Sequence, residues 1–196
     1  MEQGYHTPVL LEESVGLLSV DPAGTYVDLT FGGGGHSRRI LSLLGSEGRL
    51  YGFDQDRDTL ANRPDDGRFH YVESNFRFLR AALRLRGVAQ VDGILADLGV
   101  SSHHFDAVER GFSFRGTAPL DMRMNRRGGR TAADVVNTYD RDALTRVLGD
   151  WGELSTPWKV AGCIERARAA APITTTDALV AAGAPCTPRR GEAKFL

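Results

Sequence analysis

Only two cysteines, Cys163 and Cys186, occur in 196 residues, and they have no paired spacing. Neither a zinc pattern nor a disulfide framework is read from them, and a reducing, cytoplasmic setting is expected. No run of about 18 apolar residues occurs anywhere in the chain, so no membrane-spanning helix is read. The first residues, Met1-Glu2-Gln3-Gly4-Tyr5-His6, have no basic segment leading into an apolar one, as a secretory signal would. The histidines at 6, 36, 70, 103 and 104 fall into no ligand spacing, so no metal site is expected. A G-x-S-x-G nucleophile turn is also missing.

An excess of charge of one sign is missing too: 24 basic residues meet 25 acidic ones, for a net charge of −1. A global field therefore does not announce a nucleic-acid partner. The halves differ, with 10 basic and 14 acidic side chains in residues 1–100 and 14 and 11 in residues 101–196. The second half is thus the better candidate for polyanion contact. With 41% hydrophobic and 25% charged residues, the disordered, collagen and fibre classes are excluded. At about 150 residues per domain, the length suggests one domain and a fraction.

Periodicity supplies the organisation. Thr7-Pro8 offers a helix cap followed by proline at the first helical position, with Leu11, Val15 and Leu18 on one face. The β-rich run 25–30 is followed by Gly32-Gly33-Gly34-Gly35-His36 and then by the helical pattern 37–45, which reads strand, glycine loop, helix. Further strands are expected at 49–53 ending in Asp54, at 69–74 ending in Asn75-Phe76, and at 91–96 ending in Asp97. A helical segment spans 77–86, and residues 55–68 leave room for a turn or two of helix. Strands alternating with helices imply a parallel sheet with right-handed crossovers. After about residue 103 the rhythm changes to a Gly- and Arg-rich stretch, 111–130, and three helical patterns at 131–148, 157–170 and 175–182. For the last, Thr174 with Asp177 reads as a capping box and Gly183 as the residue after the helix.

The glycine loop is the sharpest chemical feature. In an open parallel sheet the ligand sits beyond the carboxyl ends of the strands, where strand order reverses. Glycine lets the backbone approach a ligand closely, and the helix that follows offers unpaired N–H groups to an anion. The dinucleotide fingerprint G-x-G-x-x-G fails in both registers, at Ser37 and at Arg38, which disfavours a nicotinamide-dependent dehydrogenase. What stands instead is Asp28-x-x-x-Gly32-x-Gly34, which resembles the first motif of class I S-adenosylmethionine-dependent methyltransferases. Asp54, at the end of strand two, is placed to accept both ribose hydroxyls. Phe76 is either an adenine platform or a core residue. Asp97 either orients the methyl donor or accepts from an attacking amine. Ser101 and Ser102 read equally as a capped turn.

Six ordered segments carry a more specific resemblance: His6-Thr7-Pro8-Val9-Leu10-Leu11-Glu12-Glu13, Asp28 to Ser37, Asp54-Gln55-Asp56, Asp97-Leu98-Gly99-Val100-Ser101-Ser102, Glu109 to Phe114 and Pro119-Leu120-Asp121-Met122-Arg123-Met124, with 172–176 extending the match. Together they resemble the ribosomal RNA small subunit methyltransferase H family. The resemblance implies an α/β fold of the class I, Rossmann-like methyltransferase kind with an all-helical inserted domain. It implies S-adenosylmethionine as cofactor and methylation of a cytidine N4 in the decoding region of small-subunit (16S) ribosomal RNA. The implied partner is that RNA or the 30S subunit in the cytoplasm, and a homodimer is one assembly open to it. The family's cofactor contacts fall on Gly34, Gly35, His36, Asp54, Phe76, Asp97 and His104. At 103–104 the family more often shows Pro-Gln. No residue is assigned as catalytic. Phe112, Phe114 and the arginines at 123, 126, 127 and 130 lie in the segment expected near the base, where a loop anchor and a solvated surface are the alternatives.

A class I sheet normally has seven strands, and four are readable. Residues 1–103 are expected to form the first half of the methyltransferase domain, and 104–196 a helical substrate-recognition insertion. The sheet would be incomplete in this chain, with the C-terminal part of the methyltransferase domain missing and strand four left as an uncovered edge. A non-catalytic RNA-binding protein that retains the fold is the remaining alternative.

Overall fold

A computed structural model describes residues 8–100, 102–113 and 116–187. The chain divides into two compact units after Val100. In the first, β1 (Thr25–Asp28), β2 (Arg49–Asp54), β3 (Phe69–Glu73) and β4 (Gly93–Leu95) form one sheet in the order β3-β2-β1-β4. All neighbours are parallel, with Thr25 opposite Arg49, Leu50 opposite Phe69 and Tyr26 opposite Gly93. Alternation along the strands assigns two cores. Tyr26, Leu50 and Phe69 pack with Val15 of α1 (Leu11–Leu17) and with Ile40 and Leu41 of α2 (Gly35–Leu43). Val27, Tyr51, Phe53 and Val72 face the other way, onto Ala82 and Leu83 of α3 (Leu79–Arg84). Arg68 locks the sheet to α2: it forks onto Asp66 and donates to the Leu44 carbonyl at the helix end at 2.5 Å.

The elements differ from the sequence reading in their ends. The helix expected to start behind Thr7-Pro8 begins at Leu11, with Leu10 in the left-handed region at φ 52°. Thr7 lies outside the described residues, and Pro8 packs against Gly35 instead. Residues 55–68 hold a short 3-10 helix at Arg57–Asn62, and the 77–86 segment is a 3-10 turn, Phe76–Phe78, running into α3. β4 is three residues long and pairs only with β1 among the described residues, with Ile94 46% exposed.

Every regular element described in the second unit is a helix: α4 (Ser102–Asp106), α5 (Ala132–Thr138), α6 (Arg141–Asp150), α7 (Pro157–Ala170) and α8 (Thr176–Gly183), with short 3-10 turns. The helix expected at 131–148 is two helices. Asp140 caps α6 by accepting from the Ala143 N–H at 2.7 Å, while Asn137 and Thr138 bond back to the carbonyls of Ala133 and Asp134. Such polar side chains offer the backbone an alternative to continued helix. Asn137 also exchanges hydrogen bonds with Ile173 (2.7 and 2.9 Å), fixing the strap before α8. The α8 cap is Thr175 rather than Thr174, and Gly183 is its last helical residue at φ −85°, because the chain runs on into a 3-10 turn, Ala184–Cys186. Leu120, Leu144, Val160, Ile164 and Leu179 form the core of this unit.

The two cysteines correct the sequence reading: Cys163 and Cys186 are joined by a disulfide. Their spacing of 23 residues shows no pattern by itself, but α8 doubles back on α7 and brings the two Cα atoms to 6.4 Å, within bridging range. Replacing Cys163 with Ser is expected to lower stability to urea by about 3 kcal/mol under non-reducing conditions, the loop-closure value for such a span. A reductant should do the same to the unmodified chain and nothing to the variant. Two free thiols in the unfolded, unreduced chain would dismiss the bridge.

Candidate functional site

Because all four strands run parallel, their carboxyl ends share one edge of the sheet. Asp28 ends β1, Asp54 ends β2, Phe76 follows β3, and Asp97 follows β4. Strand order reverses between β1 and β4, and it is beyond such an edge that open α/β sheets bind ligands.

Asp28 is fully buried. Its carboxylate accepts from the Ser37 hydroxyl at 2.7 Å and from the Thr30 N–H at 3.1 Å. Burial pushes its carboxyl above the ordinary 3.8, and those two donors, which favour the charged form, only partly offset the shift. This aspartate therefore acts inward, stapling the strand to the first turn of α2.

The glycine turn lies between those two fixed points. Gly32 and Gly34 take positive φ, 50° and 75°, and a Cβ on Gly34 would lie 2.9 Å from the Phe31 ring. A Cβ on Gly35 would overlap the Pro8 ring. The carbonyls of the turn face protein donors: Arg38 reaches Gly33 O at 2.7 Å, and the Asn62 amide reaches Gly32 O at 3.0 Å. The N–H groups of Gly33, Gly35 and His36 have no hydrogen-bond partner among the described residues. They lie at the start of the nine-residue α2, where the helix dipole favours a negative group. His36 is 6% exposed, and its Nε2 is buried without a partner among the described residues.

The remaining first-unit residues join this network. Asp54 accepts from Gly32 N–H at 2.8 Å and from Asp56 N–H at 2.9 Å, which aims the carboxylate at the turn. Phe76 is 41% exposed, which removes the core reading. It is held at the sheet edge by Asn75, whose side chain caps the Arg77 N–H and donates to Gln55 at 2.8 Å. The Asp97 N–H donates to the Thr30 hydroxyl at 2.8 Å, and its side chain is exposed. The structure thus brings Gly34, Gly35, His36, Asp54, Phe76 and Asp97 to one edge. His104 lies in α4 of the second unit, 7% exposed, with its ring edge-on to Phe112 at 5.0 Å.

The family model described as the MraW methylase family matches residues 3–194. The chain belongs to the MraW methylase family. It is 54% identical over 195 residues to the ribosomal RNA small subunit methyltransferase H of Bacteroides fragilis and 53% identical to that of Bacteroides thetaiotaomicron. The protein of the same name from Phocaeicola vulgatus is 54% identical over the same length. In each case 100% of this chain and 64% of the relative are covered, so the chain spans about two thirds of the length of these curated relatives.

In this member of the family, part of the Arg-rich segment, with the neighbouring Arg110, is turned to internal use. Arg110, 2% exposed, donates to the carbonyls of Arg123 and Met124 at 3.0 and 3.1 Å. Arg123 forks onto Asp121 at 2.8 Å, and Arg130 reaches the Tyr139 hydroxyl at 2.9 Å. Phe112 packs on His104, and Phe114 lies outside the described residues. Sequence reasoning missed Arg110 and the inward role of Asp28, since a motif shows residue types but not which way they face.

Two outcomes follow for the staple. Ser37→Ala is expected to cost about 1–3 kcal/mol in urea unfolding, the value of a donor lost from a buried acceptor. The native state binds the Asp28 proton more tightly than the unfolded chain, so the stability of the protein relative to Asp28→Asn should fall as pH rises from about 4 through the raised native value, then level off. A difference that grows with pH in unfolding titrations would show that the carboxylate is favoured rather than disfavoured by burial.

Proposed function

We propose that the chain forms the cofactor-binding part, with a helical recognition region, of an enzyme that methylates the N4 of a cytidine in the decoding region of small-subunit (16S) ribosomal RNA from S-adenosylmethionine. The observation that carries the reading is the glycine turn. Unpartnered N–H groups at the start of α2 stand on the same sheet edge as an aspartate whose carboxylate is held toward them by Gly32. The names of the relatives support the RNA substrate.

The residues present suit S-adenosylmethionine. An amino-acid carboxylate matches the N–H groups of Gly33, Gly35 and His36, and the unpartnered Nε2 of His36 is the kind of buried polar atom a ligand would satisfy. Asp54 would hold the ribose hydroxyls, and the exposed ring of Phe76 would lie against the adenine. When bound, the cofactor supplies an electrophilic methyl group on a sulfonium. Toward the acceptor, Asp97 is the exposed carboxylate across the switch point. Cytosine N4 is a poor nucleophile, because its lone pair is delocalised into the ring. A carboxylate accepting from its N–H favours pyramidalisation and alignment. Cytosine N4 lies on the Watson–Crick edge, so the target nucleotide must be unpaired or splayed out. We place His104 among the cofactor contacts by family resemblance alone. No helix of the described residues is long and apolar enough to cross a membrane, and the cytoplasm, where small subunits are assembled, is the compartment this reading requires.

Calorimetric titration tests the cofactor half. Asp54→Ala should weaken S-adenosylmethionine binding by about 10- to 100-fold, from charge-assisted hydrogen bonds worth about 1.5–3 kcal/mol. Unchanged affinity would remove the ribose assignment. Transfer of labelled methyl to undermethylated small subunits tests the acceptor half. Asp97→Ala should lose transfer, and a chain that binds cofactor but never transfers methyl would point to the non-catalytic alternative.

A further inference from the structure

A concave site lies wholly within the helical unit. Arg141, Lys159, Arg166, Pro185, Cys186 and Thr187 line a cleft of about 430 Å³. Three of the six are cations, and none of the three makes an ion pair among the described residues. Their convergence is built by α7. Lys159, Gly162, Cys163 and Arg166 follow the i, i+3, i+4, i+7 spacing of one helix face, so the two charges stand about 10 Å apart along the axis. Arg141, the first residue of α6, reaches that face because Gly162 has no side chain: a Cβ there would lie 2.9 Å from the guanidinium Nη2. Among the described residues, that nitrogen makes only a long bond, 3.4 Å, to the Trp158 carbonyl. Arg166 uses one nitrogen, on the sulfurs of Cys163 and Cys186 at 3.0 and 3.7 Å. Sulfur is a weak acceptor, and a guanidinium has five donors in all. The disulfide ties the opposite wall, Cys186 and Thr187, to α7. Trp158, the residue before Lys159 on α7, is 50% exposed; it is not one of the residues lining the cleft and faces about 100° away around the helix.

We propose that this cleft seats backbone phosphates of the substrate RNA, with Trp158 as a platform for a flanking base. The inference rests on the rRNA reading above and goes beyond it in naming the anchor. Fork-shaped and point cations without carboxylate partners match phosphodiester oxygens. An exposed aromatic about a quarter-turn around the same helix, on the flank of the cleft, supplies the stacking surface that single-strand recognition pairs with an electrostatic groove. Such contacts position the strand and carry no sequence information, so they leave selection of the cytidine to the crevice on the first unit.

The test is binding of a fluorescein-labelled RNA hairpin of the small-subunit decoding-site sequence to the whole chain, followed by anisotropy from about 50 to 200 mM KCl. Lys159→Glu should weaken binding about tenfold and lower the slope of log affinity against log salt by about 0.7, the value for one single-strand phosphate contact. Adding Arg166→Glu should roughly double the loss of slope, and Lys159→Arg should restore both values. Lys159 is exposed and its side chain bonds to none of the described residues, so its variant should keep the thermal midpoint and the S-adenosylmethionine affinity. Wild-type binding that Lys159→Glu leaves unchanged in affinity and slope would overturn the cleft and spare the rRNA reading. Absence of salt-dependent binding by the unmodified chain would overturn both.

Discussion

A carboxyl group sealed inside the first strand is the constraint around which the first unit is arranged. Removing Asp28 from water has a cost, and the Ser37 hydroxyl and the Thr30 N–H that offset it come from the far and near sides of the glycine turn. Holding both sides fixes the entry of α2, and with it the direction in which the first helical N–H groups point. From Thr30 the network extends to the Asp97 N–H, and from Gly32 to Asp54. Three strand ends are thereby referred to one buried acid that itself faces away from any ligand.

Features that depend on local pattern were legible in the sequence. The four strands, the glycine turn and α7, expected and found at 157–170, follow from runs of β-branched residues, from φ requirements and from a proline at the helix start. Features that depend on competition between neighbours were not. The break between α5 and α6 turns on Asp140 choosing to cap rather than continue, and the start of α1 on a left-handed Leu10. Nor could spacing alone show that α8 folds back to bring Cys186 to Cys163. The candidate site was legible as a set of strand-end residues because a parallel sheet sends all its carboxyl ends to one edge. The role of each within that set depends on facing direction, which separates inward Asp28 from outward Asp97.

The near-zero net charge hid a division of labour among the cations. Arg38, Arg68, Arg110 and Arg123 satisfy carbonyls or carboxylates of the chain itself. Arg110 is the extreme case, a guanidinium buried to 2% that organises the loop bearing Arg123 and Met124. Arg141, Lys159 and Arg166 instead stand together around one hollow of the second unit, without carboxylate partners among the described residues. The distribution of unneutralised charge, rather than its sum, is what the fold makes available to a polyanion.

The strand order also sets how far the chain must travel to complete the crevice. Pairing β1 with β2 joins Thr25 to Arg49, and pairing β1 with β4 joins Tyr26 to Gly93. The second closure spans nearly three times as much chain and carries about 0.9 kcal/mol more entropy loss. The turn and Asp54 thus belong to the contact-local half of the sheet. Asp97 belongs to the long-range half, and its side of the crevice carries the larger loop entropy.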